Sequence, residues 1–250
     1  MKPYSRFSQE SLPSRLLRYF FELIHRITRG LANNILNKDS IKPREFSNAI
    51  LKYYAPLFDG KIINVSGWKD GDFESGVYKS YFTNATTYSV SNAPTSSKGV
   101  GSLESEIEID LSIPISDSEK RQFDIVFNHT TLEHIFEIET AFKNLCDLSN
   151  EVVILVVPTL QQIHFNEGYG DYNRLTPMGV VKYFEKNDFE VLVLQSNEQQ
   201  FSPIYCFAIA ARRGSKYIGV IEKTLDFSMG GELYGSKINT THLKKHLHLH

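Results

Sequence analysis

Residues 151–158 read Glu-Val-Val-Ile-Leu-Val-Val-Pro, and this run limits the fold more than any other. An uninterrupted apolar stretch rich in β-branched residues has no side to show to water. As a strand it must be covered on both faces, which is the position of a central strand in a parallel sheet. It falls far short of the ~20 apolar residues of a membrane span.

The flanking sequence repeats the theme. "KIINVSG" from Lys61, "ATTYSVSNAP" over 85–94, the alternating "EIEIDLSI" over 106–113 and "FDIVFN" from Phe123 read as further strands. "FEVLVLQS" and "IYCFAIAARR" follow as two more. Helical patterns lie between them at 132–147 and at about 176–187, the latter with Thr176 as N-cap and Pro177 at its first position. "SSKGVGS" over 96–102 reads as a flexible turn. Alternating strands and helices of this kind predict an α/β fold: a Rossmann-like, doubly wound, mostly parallel seven-stranded sheet.

The first 57 residues read differently, as a helical N-terminal extension. Pro13 and Ser14 open a pattern in which Leu16, Phe20, Leu23 and Ile27 recur at helical spacing. Arg18 and Glu22 are spaced for pairing on the opposite stripe, and Gly30 and Asn33–Asn34 weaken the pattern later. A second helix starts near Pro43 and runs through "REFSNAILKYYAPLF". Residues 1–45 carry nine Lys and Arg against four Asp and Glu. A basic amphipathic helix over 14–29 is a candidate for peripheral membrane or protein contact; the plainer expectation is that its apolar stripe packs on the protein's own sheet or a second subunit.

Bulk properties narrow the function classes. Apolar residues make up 41% and charged residues 22%, as in a globular protein with a substantial core. A net charge of −2 speaks against a dedicated nucleic-acid binder. Cys146 and Cys206 read as buried small side chains and not as a disulfide framework, which favours a reducing compartment, the cytoplasm. The tail "THLKKHLHLH" over 241–250 holds His242, His246, His248 and His250; a terminal tail of this kind is ordinarily solvated, and no metal site is expected.

Chemistry is expected where the strands end. In a doubly wound sheet, ligands bind outside the carboxyl ends of the strands, near the point where strand order reverses. Four strands here end in polar groups: Ser66–Gly67, Ser91–Asn92, Asp110 and Asn128–His129. A nucleoside ligand needs such a set, with close backbone approach at one turn, a polar group for the ribose and another for the base.

At these residues the chain resembles the class I S-adenosylmethionine-dependent methyltransferases, of the type 11 flavour. "FDIVFNHTTLEHI" is similar to the family's fourth-strand motif and "VVILVVP" to its fifth strand. "DYNRLTPMGVVKYFEKNDFEVL" is similar to a segment of members acting in bacterial surface-glycan pathways. The resemblance covers roughly residues 60–195. It implies S-adenosylmethionine as cofactor and methyl transfer to an oxygen, or a nitrogen, of a saccharide or related small acceptor in glycan biosynthesis, in the cytoplasm or peripheral to the inner face of the membrane. It divides the chain into the extension over 1–57, a methyltransferase-like domain over 58–235 and a His-rich tail over 236–250.

Carried over residue by residue, the resemblance makes Asn64, Ser66, Gly67, Trp68, Asn92, Asp110 and Asn128 cofactor-binding candidates, with His129 beside Asn128 at the reactive end. His164 is the candidate general base, with His129 second, because an imidazole titrates near neutrality. Tyr172 and Arg174, in a long polar loop, are candidates for the acceptor. His134 reads as an organiser of the strand–helix junction and Glu133 as structural or solvent-facing. The first motif departs from the family's acidic residue and G-x-G: Asn64, Ser66 and Trp68 stand at those three places. A degenerate, non-catalytic module that recruits partners into a glycan-assembly complex is therefore the alternative. A nicotinamide enzyme is disfavoured, because no G-x-G-x-x-G follows the first strand.

Overall fold

The computed structural model describes residues 12–36, 42–94, 107–165, 168–197 and 204–227. The expected turn at 96–102 and the His-rich tail lie outside the described residues. The chain divides into two units, residues 1–40 and 41–250.

The first unit contains α1, Leu12–Leu36. It runs through Gly30 and Asn33–Asn34, longer than the sequence suggested, since a glycine inside a helix costs only about 1 kcal/mol relative to alanine. Arg18 Nε donates to Glu22 Oε1 at 3.2 Å, the pair read from the spacing. Leu16, Phe20, Leu23 and Ile27 are all exposed. Among the described residues no helix is long and apolar enough to cross a membrane.

The second unit holds α2 (Pro43–Tyr54), β1 (Gly60–Val65), β2 (Ala85–Asn92), β3 (Ile107–Glu108), β4 (Phe123–His129), α3 (Ile138–Leu148), β5 (Ser149–Leu160), α4 (Pro177–Lys186), β6 (Phe189–Ser196), β7 (Ile204–Arg212) and β8 (Thr224–Leu225). α2, assigned from sequence to the N-terminal extension, thus lies with the α/β unit. The sheet order is β3-β2-β1-β4-β5-β7-β6-β8. Among the described residues there are eight strands where seven were expected, because Thr224–Leu225 adds a two-residue parallel edge beyond β6. The β1–β2, β1–β4 and β4–β5 pairs are parallel, and β7 lies antiparallel between β5 and β6.

The apolar run of β5 is explained by its two covers. Val153, Leu155 and Val157 meet α3 and α4 through Phe142, Leu145, Val180 and Phe184. Val152, Ile154 and Val156 point the other way, into a core with Leu51 of α2, Phe58, Tyr78 and Phe82. The alternation is the period-two geometry of a strand. Cys146 and Cys206 are buried and free, and burial pushes the Cys206 thiol up to about 12.

Two elements differ from the sequence reading. The strand expected over 106–113 pairs only at Ile107–Glu108. It breaks because Asp110 Oδ1 accepts the Ser112 backbone N–H at 2.9 Å and its hydroxyl at 2.6 Å, a local turn that competes with the sheet ladder. The helix expected over 132–147 begins six residues later, at Ile138. Leu132–His134 forms a single tight turn closed by His134 N–H donating to Thr131 O at 2.9 Å.

Candidate active site

The carboxyl ends of β1, β2 and β4 open onto a cleft of about 690 Å³. Strand order reverses between β1 and β4, so the cleft sits at the topological switch point. Its volume falls in the range of small-molecule sites, ~300–1,000 Å³.

The floor is the loop after β1. Ser66, Trp68, Asp70, Phe73 and Ser75 all have φ between 52° and 73°, a left-handed conformation that costs a side-chain-bearing residue about 1–2 kcal/mol each. Two buried carboxylates offset that strain. Asp70 Oδ1 accepts from Asn64 Nδ2 and from the Tyr88 hydroxyl, both at 2.7 Å, and its Oδ2 accepts from Lys79 N–H at 2.8 Å. Asp72 accepts from the N–H groups of Glu74 and Gly76 and from the Tyr81 hydroxyl, at 2.8, 2.8 and 2.7 Å. Asn64 thus commits its amide donor inside the protein, to a carboxylate six residues later in the loop after β1. Gly67 is needed for space: a Cβ there would meet the Asn64 amide at 2.5 Å.

The candidates from sequence fall into two groups. Asn64, Ser66, Gly67, Trp68, Asn92, Asp110, His129 and Tyr172 line the cleft. Asn128 does not: it is fully buried, and its Nδ2 donates to Val65 O at 2.8 Å, tying β4 to the end of β1. Asn92 meets the cleft with its amide engaged, Oδ1 accepting from Trp68 N–H at 2.8 Å and Nδ2 donating to Trp68 O at 3.3 Å. The N–H of Gly67 is likewise held, by Ser91 O at 3.1 Å. Asp110 is committed to Ser112 through Oδ1, and among the described residues nothing bonds its Oδ2.

His129 is held from two sides. Arg44 Nη1 lies 2.9 Å from its Nδ1, and Ser47 Oγ lies 2.9 Å from its Nε2. The Ser47 hydroxyl donates to Arg44 O, so it accepts from Nε2–H, and Nδ1 accepts from the guanidinium. Burial first, and Arg44 second, hold the imidazole well below the ordinary histidine range. It is a neutral ring with both nitrogens engaged.

Arg44 is a residue the sequence reading missed. It sits outside the segment that resembles the methyltransferases, and only the packing of α2 brings it to β4. It also donates to the Tyr78 hydroxyl at 3.0 Å and lies 4.8 Å over the Phe73 ring. Phe73, Trp68, Phe136 and Tyr172 are exposed aromatics around the cleft.

On the far wall, His134 lines the cleft with Tyr169 and Tyr172, whereas His164 lies behind it. The two imidazole rings meet edge to face at 5.0 Å, although thirty positions separate them in sequence. Arg174 pairs with both oxygens of Asp171, which leaves its fork turned inward and not toward a ligand. Glu133, expected to be structural or solvent-facing, is 2% exposed, and burial pushes its carboxyl up to about 8. No sequence signal marks the meeting of Glu133, His134 and His164.

No protein-family model and no curated protein sequence matches the chain. Solved structures match it at low identity. The 1,6-didemethyltoxoflavin-N1-methyltransferase of Burkholderia thailandensis, crystallised with 1,6-didemethyltoxoflavin and S-adenosylhomocysteine, is 12% identical, covering 82% of this chain and 92% of its own, with a TM-score of 0.47. The magnesium protoporphyrin IX methyltransferase of Synechocystis PCC 6803, with bound S-adenosylmethionine, is 12% identical over 68% of this chain and 79% of its own, TM-score 0.43. A 4+2 cyclase is 9% identical over 68% of this chain and 81% of its own, TM-score 0.46.

Proposed function

We propose that the cleft binds S-adenosylmethionine and that the chain transfers its methyl group to an oxygen, or a nitrogen, of a saccharide or similar ring-bearing small acceptor. The observation that carries this reading is the cleft's position: the wall built by "FDIVFNHTTLEHI" faces the loop after β1 across the switch point of the sheet. The residues present fit such a cofactor in three respects. The Oδ2 of Asp110, which no described residue bonds, is an acceptor for an adenine amino group. Trp68 and Phe73 offer flat surfaces, and Arg44 offers charge for a carboxylate.

The cofactor supplies an electrophilic methyl group on a sulfonium. The protein contributes position, which is worth ~7–11 kcal/mol when geometry is optimal. In this reading Arg44 and His129 are positioning residues, and His129, with both nitrogens engaged, is not the base. Tyr169, Tyr172 and Phe136 form an aromatic wall suited to a sugar ring, beside the imidazole of His134. His164 stands behind it with Nδ1 3.4 Å from Asp171 Oδ2, so the candidate base is oriented by a carboxylate but does not itself line the cleft, and its role here is to pack against His134. Arg174 holds Asp171 in place.

One feature favours the second reading, a non-catalytic module of the same fold. The N–H groups of Gly67 and Trp68 and the Asn92 amide are bonded within the protein, leaving the ribose fewer donors and acceptors. Calorimetric titration with S-adenosylmethionine and S-adenosylhomocysteine separates the two. Micromolar binding that Asp110→Ala abolishes supports the enzyme, and labelled cofactor then screens saccharide acceptors. Absence of binding at millimolar ligand supports the module.

A further inference from the structure

We propose that Glu133, His134 and His164 form a binding site for a divalent transition-metal ion in the wall of the cleft. Each side chain offers one ligand atom, and these atoms lie within 4.8 Å of one another. Two imidazoles and one carboxylate are a ligand set for zinc-class ions that leaves a coordination position open.

The hydrogen bonds around the two rings point their lone pairs the right way. His134 Nδ1 lies 2.7 Å from the carbonyl oxygen of Gly170. A carbonyl only accepts, so Nδ1 carries the proton and Nε2 keeps the lone pair, 3.7 Å from Glu133 Oε1. His164 Nδ1 faces two acceptors, Gln162 O at 3.1 Å and Asp171 Oδ2 at 3.4 Å, so here too Nε2 is left with the lone pair. An imidazole that donates through one nitrogen to a carbonyl or carboxylate is the usual support of a metal ligand. Asp171 is itself fixed by Arg174 and by the N–H of His164.

Glu133 supplies an independent observation. Its side chain is 1% exposed, and beside the Oε1 that faces His134 its Oε2 is buried and, among the described residues, has no hydrogen-bond partner. A buried oxygen left unbonded costs about 1–3 kcal/mol, which a cation would remove. The backbone holds the group together: the Glu133 carbonyl accepts from Tyr172 N–H at 2.7 Å and Asn173 N–H at 3.2 Å, clamping the loop onto the Leu132–His134 turn. Metal–ligand bonds of about 2.0–2.2 Å draw ligand atoms to roughly 3–3.5 Å of each other. Closing from the present spacing asks for a shift of about 1 Å, which the partly exposed His164 can make.

His134 lines the cleft, so the open position would take an oxygen atom of a molecule held there. That last step rests on the proposed methyl-transfer reading: the oxygen would be the acceptor's, and coordination would ease loss of its proton. Metal binding itself does not depend on that reading.

The test uses the full chain, stripped of metal by chelator and titrated with Zn²⁺ and Co²⁺. The tail could bind metal on its own, so the reference protein carries His242→Ala, His246→Ala, His248→Ala and His250→Ala. The proposal expects a single equivalent bound by this reference, with Co²⁺ giving the visible absorption of mixed nitrogen and oxygen ligation. His164→Ala weakens it by more than the ~10–100-fold that loss of a supporting partner costs, and Asp171→Asn by about that amount. Glu133→Gln tests the buried ligand; if it unfolds, His164→Ala, at a partly exposed site, decides. Loss of all binding on removing the tail histidines overturns the proposal, as does affinity unchanged by His164→Ala. A parallel titration with S-adenosylmethionine keeps failure of the metal site distinct from failure of the methyltransferase reading.

Discussion

His129 shows how a residue legible as polar and well placed takes its role from partners that the sequence does not reveal. The strand end announced an imidazole beside the site; Arg44 and Ser47, from a helix more than eighty positions away, make it a neutral bridge. A pH dependence follows. Its pKa lies below the unfolded value of 6.5, so the unfolded chain binds the extra proton first. The stability contributed by the neutral ring is therefore complete above pH 6.5 and declines as pH falls through that value. Urea midpoints at pH 7.5 and 5.5 should show His129→Gln losing less stability on acidification than the wild type. Equal losses would mean that the ring titrates freely. The same lesson holds for Asn92 and Arg174, whose residue types were read correctly as polar and whose hydrogen bonds run inward.

Among the elements, the strands were the most legible, because two-sided burial writes a continuous apolar run and few other structures need one. α4 was equally clear. Its N-cap accepts as its residue type predicts, Gly179 N–H donating to Thr176 Oγ1 at 3.1 Å. Thr176→Ala should cost about 1 kcal/mol, read as a lower urea midpoint with unchanged slope. No change would mean that α4 is held by its apolar face alone. Elements were misjudged where local hydrogen bonding overrode the pattern: the Asp110 side chain stopped β3 after two residues, and the backbone turn at Leu132–His134 displaced the start of α3. Hydrophobic spacing carries no record of such local competition.

For the whole α/β unit, the decisive contacts join β4 to the site loop. Phe127 is fully buried, with its ring 5.0 Å from Tyr78 and 6.1 Å from both Phe82 and His129. Phe127→Ala should cost about 3–5 kcal/mol and weaken ligand binding in the cleft in parallel, measured by denaturant melts and calorimetry on the same sample. A loss of stability with binding intact would show that the loop is set by Asp70 and Asp72 alone. The α/β class, the mostly parallel sheet and the end of the strands at which the cleft opens were all legible in the sequence, because these follow from local periodicity and from the burial that each strand requires. Only the folded chain shows that Arg44 reaches the cleft, that Asn64 donates to Asp70 in the loop after β1, and that His134 and His164 meet over Glu133. Those outcomes depend on side chains far apart in the chain converging within a few ångströms, and no one-dimensional pattern encodes that distance.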